Sequence, residues 1–526
     1  VLVVAGSALG AGPSHTPAPD AVHTSSPYPG AASLGDPFYP DLGNGGYDVL
    51  GYAVALTWRP PSVDHPAGSA DVTTVIDAVA TQPLSELSFD LVRSTATLRA
   101  IQVDGVDVEP LGDPAGQKLV LRPETPIPDQ AAFRVRVAAT VEPGTVPKTG
   151  LEDPGVLAGS PATVDRVGGR GLLSDLDGGM LLAAQPNGAH ALLPLNDHPT
   201  DKAELTVTIT APPGMLGVAT GRLDRLVTGP DGSVTTTYRS GHPVATHVIS
   251  IGVGRYTLVS GITASGVPLR FAIPSAFAEA PEWRLDAVPE AIAWLEAELG
   301  PYPLDAAGIM FSPPGASAAI LEGQTLVLMP ATVFDPQVSD CAWRSLLAHE
   351  LSHQWFGDSV SLTRWDEKWL SEGHATFTEL RWAADSGCDP RPFSARMRQA
   401  YRHAQAVRDA SGPPARPHGP ADAYGSGIYE QGALALFALR EEVGEEGFDA
   451  IEREYLARFR DGNASTAEFI DVASEVAGRD LRRFLRAWLY GDVVPPMPGH
   501  PAWISNAPAP SPSAGASKPP AASAGG

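Results

Sequence analysis

The stretch Leu347-Ala348-His349-Glu350-Leu351-Ser352-His353, with Glu372 beyond it, decides how this chain is read. On a helix, residues four apart share a face, so His349 and His353 can aim two imidazoles at one ion. Glu350 lies about 100° further round the turn. Its carboxylate can reach a water on that ion without binding the metal. Glu372, in Trp369-Leu370-Ser371-Glu372-Gly373-His374-Ala375, opens a second helical pattern and supplies a third ligand. Two imidazoles and a carboxylate leave the fourth tetrahedral position open, which distinguishes a catalytic zinc from a structural one. The pattern implies one Zn2+ per chain.

Composition narrows the partners. The chain has 526 residues, 43% of them hydrophobic, with 10 Trp, which is ample for large cores. Acids outnumber bases 60 to 36, for a formal charge of −24. No Lys/Arg cluster offers the basic footprint that phosphate binding needs, so nucleic acid is excluded as a partner. No apolar run is long enough to cross a membrane. The apolar segment 1–12 is similar to the back half of a signal peptide, which points to export; the alternative is a disordered apolar terminus in a cytoplasmic protein. Cys341 and Cys388 flank the metal segment. They form one disulfide or stay as two buried thiols.

Residues 13–35 are rich in Pro, Ser, Ala and Gly and read, with the apolar start, as a linker over 1–35. Short β-branched runs such as 51–58, 133–141 and 203–210 predict an all-β saddle or sandwich over 36–256. Helical periodicity follows: 282–299, a metal helix over about 340–356, a Glu372 helix over about 367–386, and five more between 391 and 490. Strand-like runs lie at 307–311 and 325–330. The fold class is therefore α+β: a β domain, a mixed and then helical catalytic domain over 257–500, and a Pro/Ala/Ser/Gly tail over 501–526.

The segment from Leu347 to Asp358 resembles the aminopeptidase N family of gluzincin zinc peptidases, whose zinc domain is thermolysin-like. The eighteen residues between His353 and Glu372, and Trp365-Asp366-Glu367-Lys368-Trp369-Leu370 within them, fit the family's "W-x-x-x-W-L-N-E-G". Ser371 stands for the usual Asn and His374 for a common Phe; His374 reads as a packed helix residue. Ala319-Ile320-Leu321-Glu322-Gly323 lies where the family has "G-x-M-E-N". The resemblance implies that Glu322 binds a substrate's free α-ammonium, with Gly323 replacing the Asn. Tyr429-Glu430-Gln431-Gly432-Ala433 matches "Y-x-K-G-A" with Gln431 for Lys. It implies Tyr429 as the phenol that steadies the oxyanion, Tyr424 being the alternative. Gln185, in a β-domain loop similar to "Q/E-x-x-x-A-R…P-x-x-D-x-P" with His190 for Arg, is implied as a second amine contact. The resemblance covers about 36–490 and is that of a short form lacking the large C-terminal helical domain.

The expectation is a zinc aminopeptidase acting on peptides with a free N-terminus, with Glu350 as general base. A gluzincin endopeptidase would share the metal site without needing Glu322. A zinc-bearing peptide-binding protein would have no use for Glu350.

Overall fold

The structure is a computed structural model that describes residues 27–145, 171–175, 177–279, 282–313 and 320–506. The apolar segment 1–12, residues 13–26 of the stretch read as linker, and the tail past 506 lie outside the described residues.

Alternation builds the first unit. In Tyr47–Arg59 the buried side chains are Tyr47, Val49, Tyr52, Val54, Leu56 and Trp58. They fall two apart, except that a register shift between Val49 and Gly51 inserts one extra residue before Tyr52. This strand sits inside an eight-stranded sheet ordered Arg222–Thr228, Val234–Arg239, Glu204–Ala211, Tyr47–Arg59, Ser69–Ala80, Ala132–Val141, Ala96–Val103 and Val106–Asp107. Neighbours are antiparallel except Glu204–Ala211 beside Tyr47–Arg59. A four-stranded sheet around Leu84–Asp90 includes Tyr28–Pro29, so the chain joins the β fold well before residue 36. A five-stranded sheet contains Met180–Ala183, buried at every position, and its end delivers Gln185.

The second unit opens on a four-stranded sheet ordered Tyr256–Ile262, Pro268–Pro274, Ala307–Ser312 and Val327–Pro330. Its first pair is antiparallel and the other two are parallel. Among the described residues it carries eight α-helices: α1 Glu282–Leu299, α2 Asp340–Ser352, α3 Trp369–Asp385, α4 Phe393–Ser411, α5 Tyr429–Val443, α6 Glu445–Arg458, α7 Thr466–Val476 and α8 Arg482–Tyr490. Ser339 caps α2 through Ala342 N, and Ser465 with Glu468 forms a capping box on α7. After α8 the chain continues in contact with the helices. Trp503 stacks near Phe437 and Tyr401, and Ser505 O accepts from Gln405 N. The architecture is thus a β-rich domain followed by a mixed, mainly helical one.

Two hydrophobic cores serve these units and interlock. Met310 and Leu328 of the second unit's sheet, with Leu326 just before its last strand, belong to the β core, while Phe38, Tyr39 and Leu42 belong to the helical one. The described stretch 320–326, which carries Glu322, therefore runs along the junction. Lys202 bridges it too, donating from Nζ to Asp358 O at 2.7 Å, Ser359 O at 2.9 Å and Gly462 O at 3.3 Å.

Candidate metal centre and active site

α2 and α3 lie side by side, tied by a disulfide from Cys341 in the first turn of α2 to Cys388 just past α3. Their facing sides bring His349, His353 and Glu372 together, all buried, with ligand atoms within 4.8 Å of one another. Nε2 of His349 and of His353 lie 3.4 and 3.5 Å from Glu372 Oε2. Tetrahedral zinc bonds of about 2.0–2.1 Å put ligand atoms roughly 3.3 Å apart. Glu372 Oε2 is buried and makes no hydrogen bond. Donor types, spacing and this unpaired oxygen all fit one zinc ion.

The outer end of the His353 imidazole fixes its tautomer. His353 Nδ1 lies 3.1 Å from Phe356 O, a group that only accepts, so Nδ1 carries the proton and Nε2 offers its lone pair. Ser371 Oγ lies 3.0 Å from the same Nδ1 and donates to Phe356 O, so the Ser in place of the family Asn takes up the ligand's orientation. His349 Nδ1 faces Glu379 Oε2 at 3.2 Å, near enough for charge pairing though poorly aligned for a hydrogen bond. Burial would push Glu372 up, but Lys368 and the two imidazoles hold it well below the usual carboxylate range. Glu350, one residue past His349, is buried and is pushed up to about 7 by that burial; the imidazoles oppose the shift and Glu322 and Glu372 add to it.

Glu322 approaches from the other side. Its Oε1 accepts from Gln185 Nε2 and lies 3.5 Å from Lys368 Nζ, which is itself 2.8 Å from Glu372 Oε1. One ammonium therefore stands between the two carboxylates, and the β-domain loop reaches the same cluster. Gln354, next to His353, holds the loop: its Oε1 accepts from Thr325 N at 2.8 Å and its Nε2 donates to Gly323 O. A Cβ on Gly323 would stand 2.1 Å from Ser250 Oγ and 2.4 Å from Leu326 O, so no larger residue fits this turn. The Gln185–Pro186 peptide is cis. In the same loop His190 Nδ1 pairs with Asp197 Oδ2 at 2.6 Å, a short link where the family pattern has Arg.

α5 closes the site. The Tyr429 ring stacks on His349, with centroids 6.1 Å apart and planes 8° from parallel. Burial, then Glu372 and Glu322, pushes its phenol well above the usual value, so the hydroxyl keeps its proton. Gln431 points away, accepting from Arg408 and donating to Ala404 O, so it fastens α5 to α4. Tyr424 lies beneath Lys368, whose Nζ is 5.2 Å from its ring centre. His374 stacks on Phe356 and bonds Leu370 O through Nδ1, in keeping with a packing role. Lys368, Glu379 and Gln354 were not singled out from sequence. Lys368, the N-cap of α3, lies four residues before Glu372 and Glu379 seven after it, so both fall on the Glu372 side of the helix, and that spacing could have found them.

This fold and this triad define the gluzincin class of metal site. Residues 283–488 match the Peptidase family M1 domain. The M1 zinc metallopeptidase of Deinococcus radiodurans, in a structure of a mutant bound to a Tyr-Ser-Ala substrate, superimposes with a TM-score of 0.73 at 28% identity, covering 89% of this chain and 100% of that one. Aminopeptidase N of Haemonchus contortus is 27% identical over 56% of this chain and 32% of its own length. A probable aminopeptidase 1 of Saccharolobus solfataricus is 22% identical over 61% of this chain and 41% of its own. Over its Peptidase family M1 domain the chain is similar to the aminopeptidase N family of gluzincins, and it spans about a third of the length of the first curated relatives it matches.

Proposed function

We propose that this chain is a zinc aminopeptidase that removes residues from the free N-terminus of peptides. The observation that carries the reading is Glu322: a buried carboxylate on the far side of Lys368 from the metal ligand Glu372, held by Gln185 of the other domain. A carboxylate there pairs with a terminal ammonium and leaves an internal peptide unmatched. His349, His353 and Glu372 would hold the zinc, which when bound supplies Lewis-acid polarisation and an acidified water. Glu350 takes the proton from the attacking water and returns it to the leaving amine. The Tyr429 hydroxyl donates to the oxyanion, and one such donor is typically worth on the order of 10² to 10³ in rate. Glu322 and Gln185 fix the N-terminus, so the first peptide bond is the one presented for cleavage. The Cys341–Cys388 disulfide supports a location outside the reducing cytoplasm.

Hydrolysis of one short peptide, offered free and N-acetylated to the zinc-loaded protein, tests the assignment. Release of the first residue from the free form at a clearly higher kcat/KM is the expected result. Equal or better internal cleavage of the acetylated form would make it an endopeptidase, and cleavage of neither by a zinc-replete protein would favour a binding role.

A further inference from the structure

Lys368 takes no part in the chemistry above, yet it stands among the carboxylates that do. It immediately precedes α3 and its side chain is 1% exposed. Its Nζ lies 2.8 Å from Glu372 Oε1, 3.5 Å from Glu322 Oε1 and 5.2 Å from the centre of the Tyr424 ring. A buried ammonium persists only where carboxylates compensate it. Here the compensating pair is a metal ligand and the amine anchor. Glu322 Oε1 also accepts from Gln185 Nε2, so one of its two oxygens is occupied before any substrate arrives. A peptide's α-ammonium must then enter as a second cation on the same carboxylate and feel Lys368 across it, in surroundings where charges are poorly screened.

We propose that Lys368 is a specificity-determining residue, a built-in counter-cation on Glu322 and Glu372 that weakens the site's hold on a charged N-terminus and narrows its discrimination between free and N-blocked peptides. The inference rests on the reading of Glu322 as the amine anchor. The substrates it favours, relative to the same site without the lysine, are peptides whose N-terminus brings no full positive charge.

The experiment uses the full chain as wild type, Lys368→Gln, Lys368→Met and the Lys368→Gln, Glu322→Gln double variant, with folding checked by circular dichroism. Gln removes the charge but keeps a donor toward Glu372; Met removes both, so either variant alone suffices if the other fails to fold. The metal-free proteins are titrated calorimetrically with alanine amide and with N-acetylalanine amide. The single variants are expected to bind alanine amide about tenfold tighter than wild type or better, with the acetylated ligand unchanged and the gain lost in the double variant. In the zinc-loaded enzyme the same factor is expected in KM for a free peptide, with KM for the acetylated peptide constant. Unchanged or weaker binding of alanine amide by a folded single variant overturns the proposal, as does a gain that survives Glu322→Gln or binding by none of the forms. Failure of the aminopeptidase reading would look different: no peptide turned over by wild type, while the charge-dependent binding persists.

Discussion

Glu350 is the residue on which the proposed hydrolysis depends, and its surroundings suit a base. It is buried beside two imidazoles and two further carboxylates, and burial brings its carboxyl to about 7, where proton uptake and release are balanced near neutrality. Gln at 350 keeps size and hydrogen bonding but cannot take a proton. Glu350→Gln is expected to retain one zinc per chain by metal analysis while kcat falls by about 10² to 10⁴; undiminished turnover would place the base elsewhere. The convergence of His349, His353 and Glu372 beside Glu350 was legible in the sequence because helix geometry turns a spacing of four into a shared face. The residues that steady them were less legible, for two physical reasons. Ser371 acts through a turn carbonyl, Phe356 O, whose position depends on how the chain leaves α2. Gln354 looks like any polar residue after a helix until the Glu322 loop folds against it.

Tyr429 depends on how closely two helices approach. Gly373 in the first turn or so of α3 and Gly432 in the first turn of α5 meet backbone to backbone: a Cβ on Gly432 would stand 2.8 Å from Gly373 Cα. No side chain intervenes, so the turn bearing Tyr429 lies flat on His349. Gly432→Ala must part the helices, and interiors yield little. The expected outcome is a loss of about 1–3 kcal/mol in denaturant stability together with a fall in kcat as the phenol shifts. If both stay at wild-type values in melts and steady-state kinetics, the contact has slack and Tyr429 is placed by something else. The helices themselves could be read from periodicity and caps, with ends off by a few residues. α2, expected to run to about 356, stops at Ser352 because the chain turns at once toward Gly357, whose φ is +124°. Strands were harder where both faces are covered. Pro268–Pro274 is buried at every position after the first, so it shows no alternation to read. The pairing of Cys341 with Cys388 was one of two readings until α2 and α3 were seen side by side, with Cα atoms 5.3 Å apart.

For the molecule as a whole, the proposed amine-binding end of the site needs the β domain docked, since Gln185 comes from one unit and Glu322 from the seam. Lys202 is the clearest polar tie across it, one ammonium on three carbonyls of the second unit. Burial pulls this amine down to about 8, with Asp358 and Asp461 resisting. An unfolded lysine titrates at about 10.4. Between these values the unfolded chain holds a proton that the native one has shed, so stability rises with pH across that window. Stability from this group is therefore fully present above the unfolded value and lost as pH falls through about 8; for a shift of this size it is on the order of 3 kcal/mol. Lys202→Met removes the titration and also leaves three carbonyls without their donor, which costs about 1–3 kcal/mol for each one that water cannot reach. The variant is expected to melt lower at pH 7, with the β domain separating as its own calorimetric transition, and to lose the part of the wild-type rise between pH 8 and 10 that Lys202 contributes. A variant that keeps the wild-type pH slope would show that Lys202 is not the group titrating there. One that melts at the wild-type temperature in a single transition would show that apolar packing at Met310, Leu326 and Leu328 holds the domains together without it.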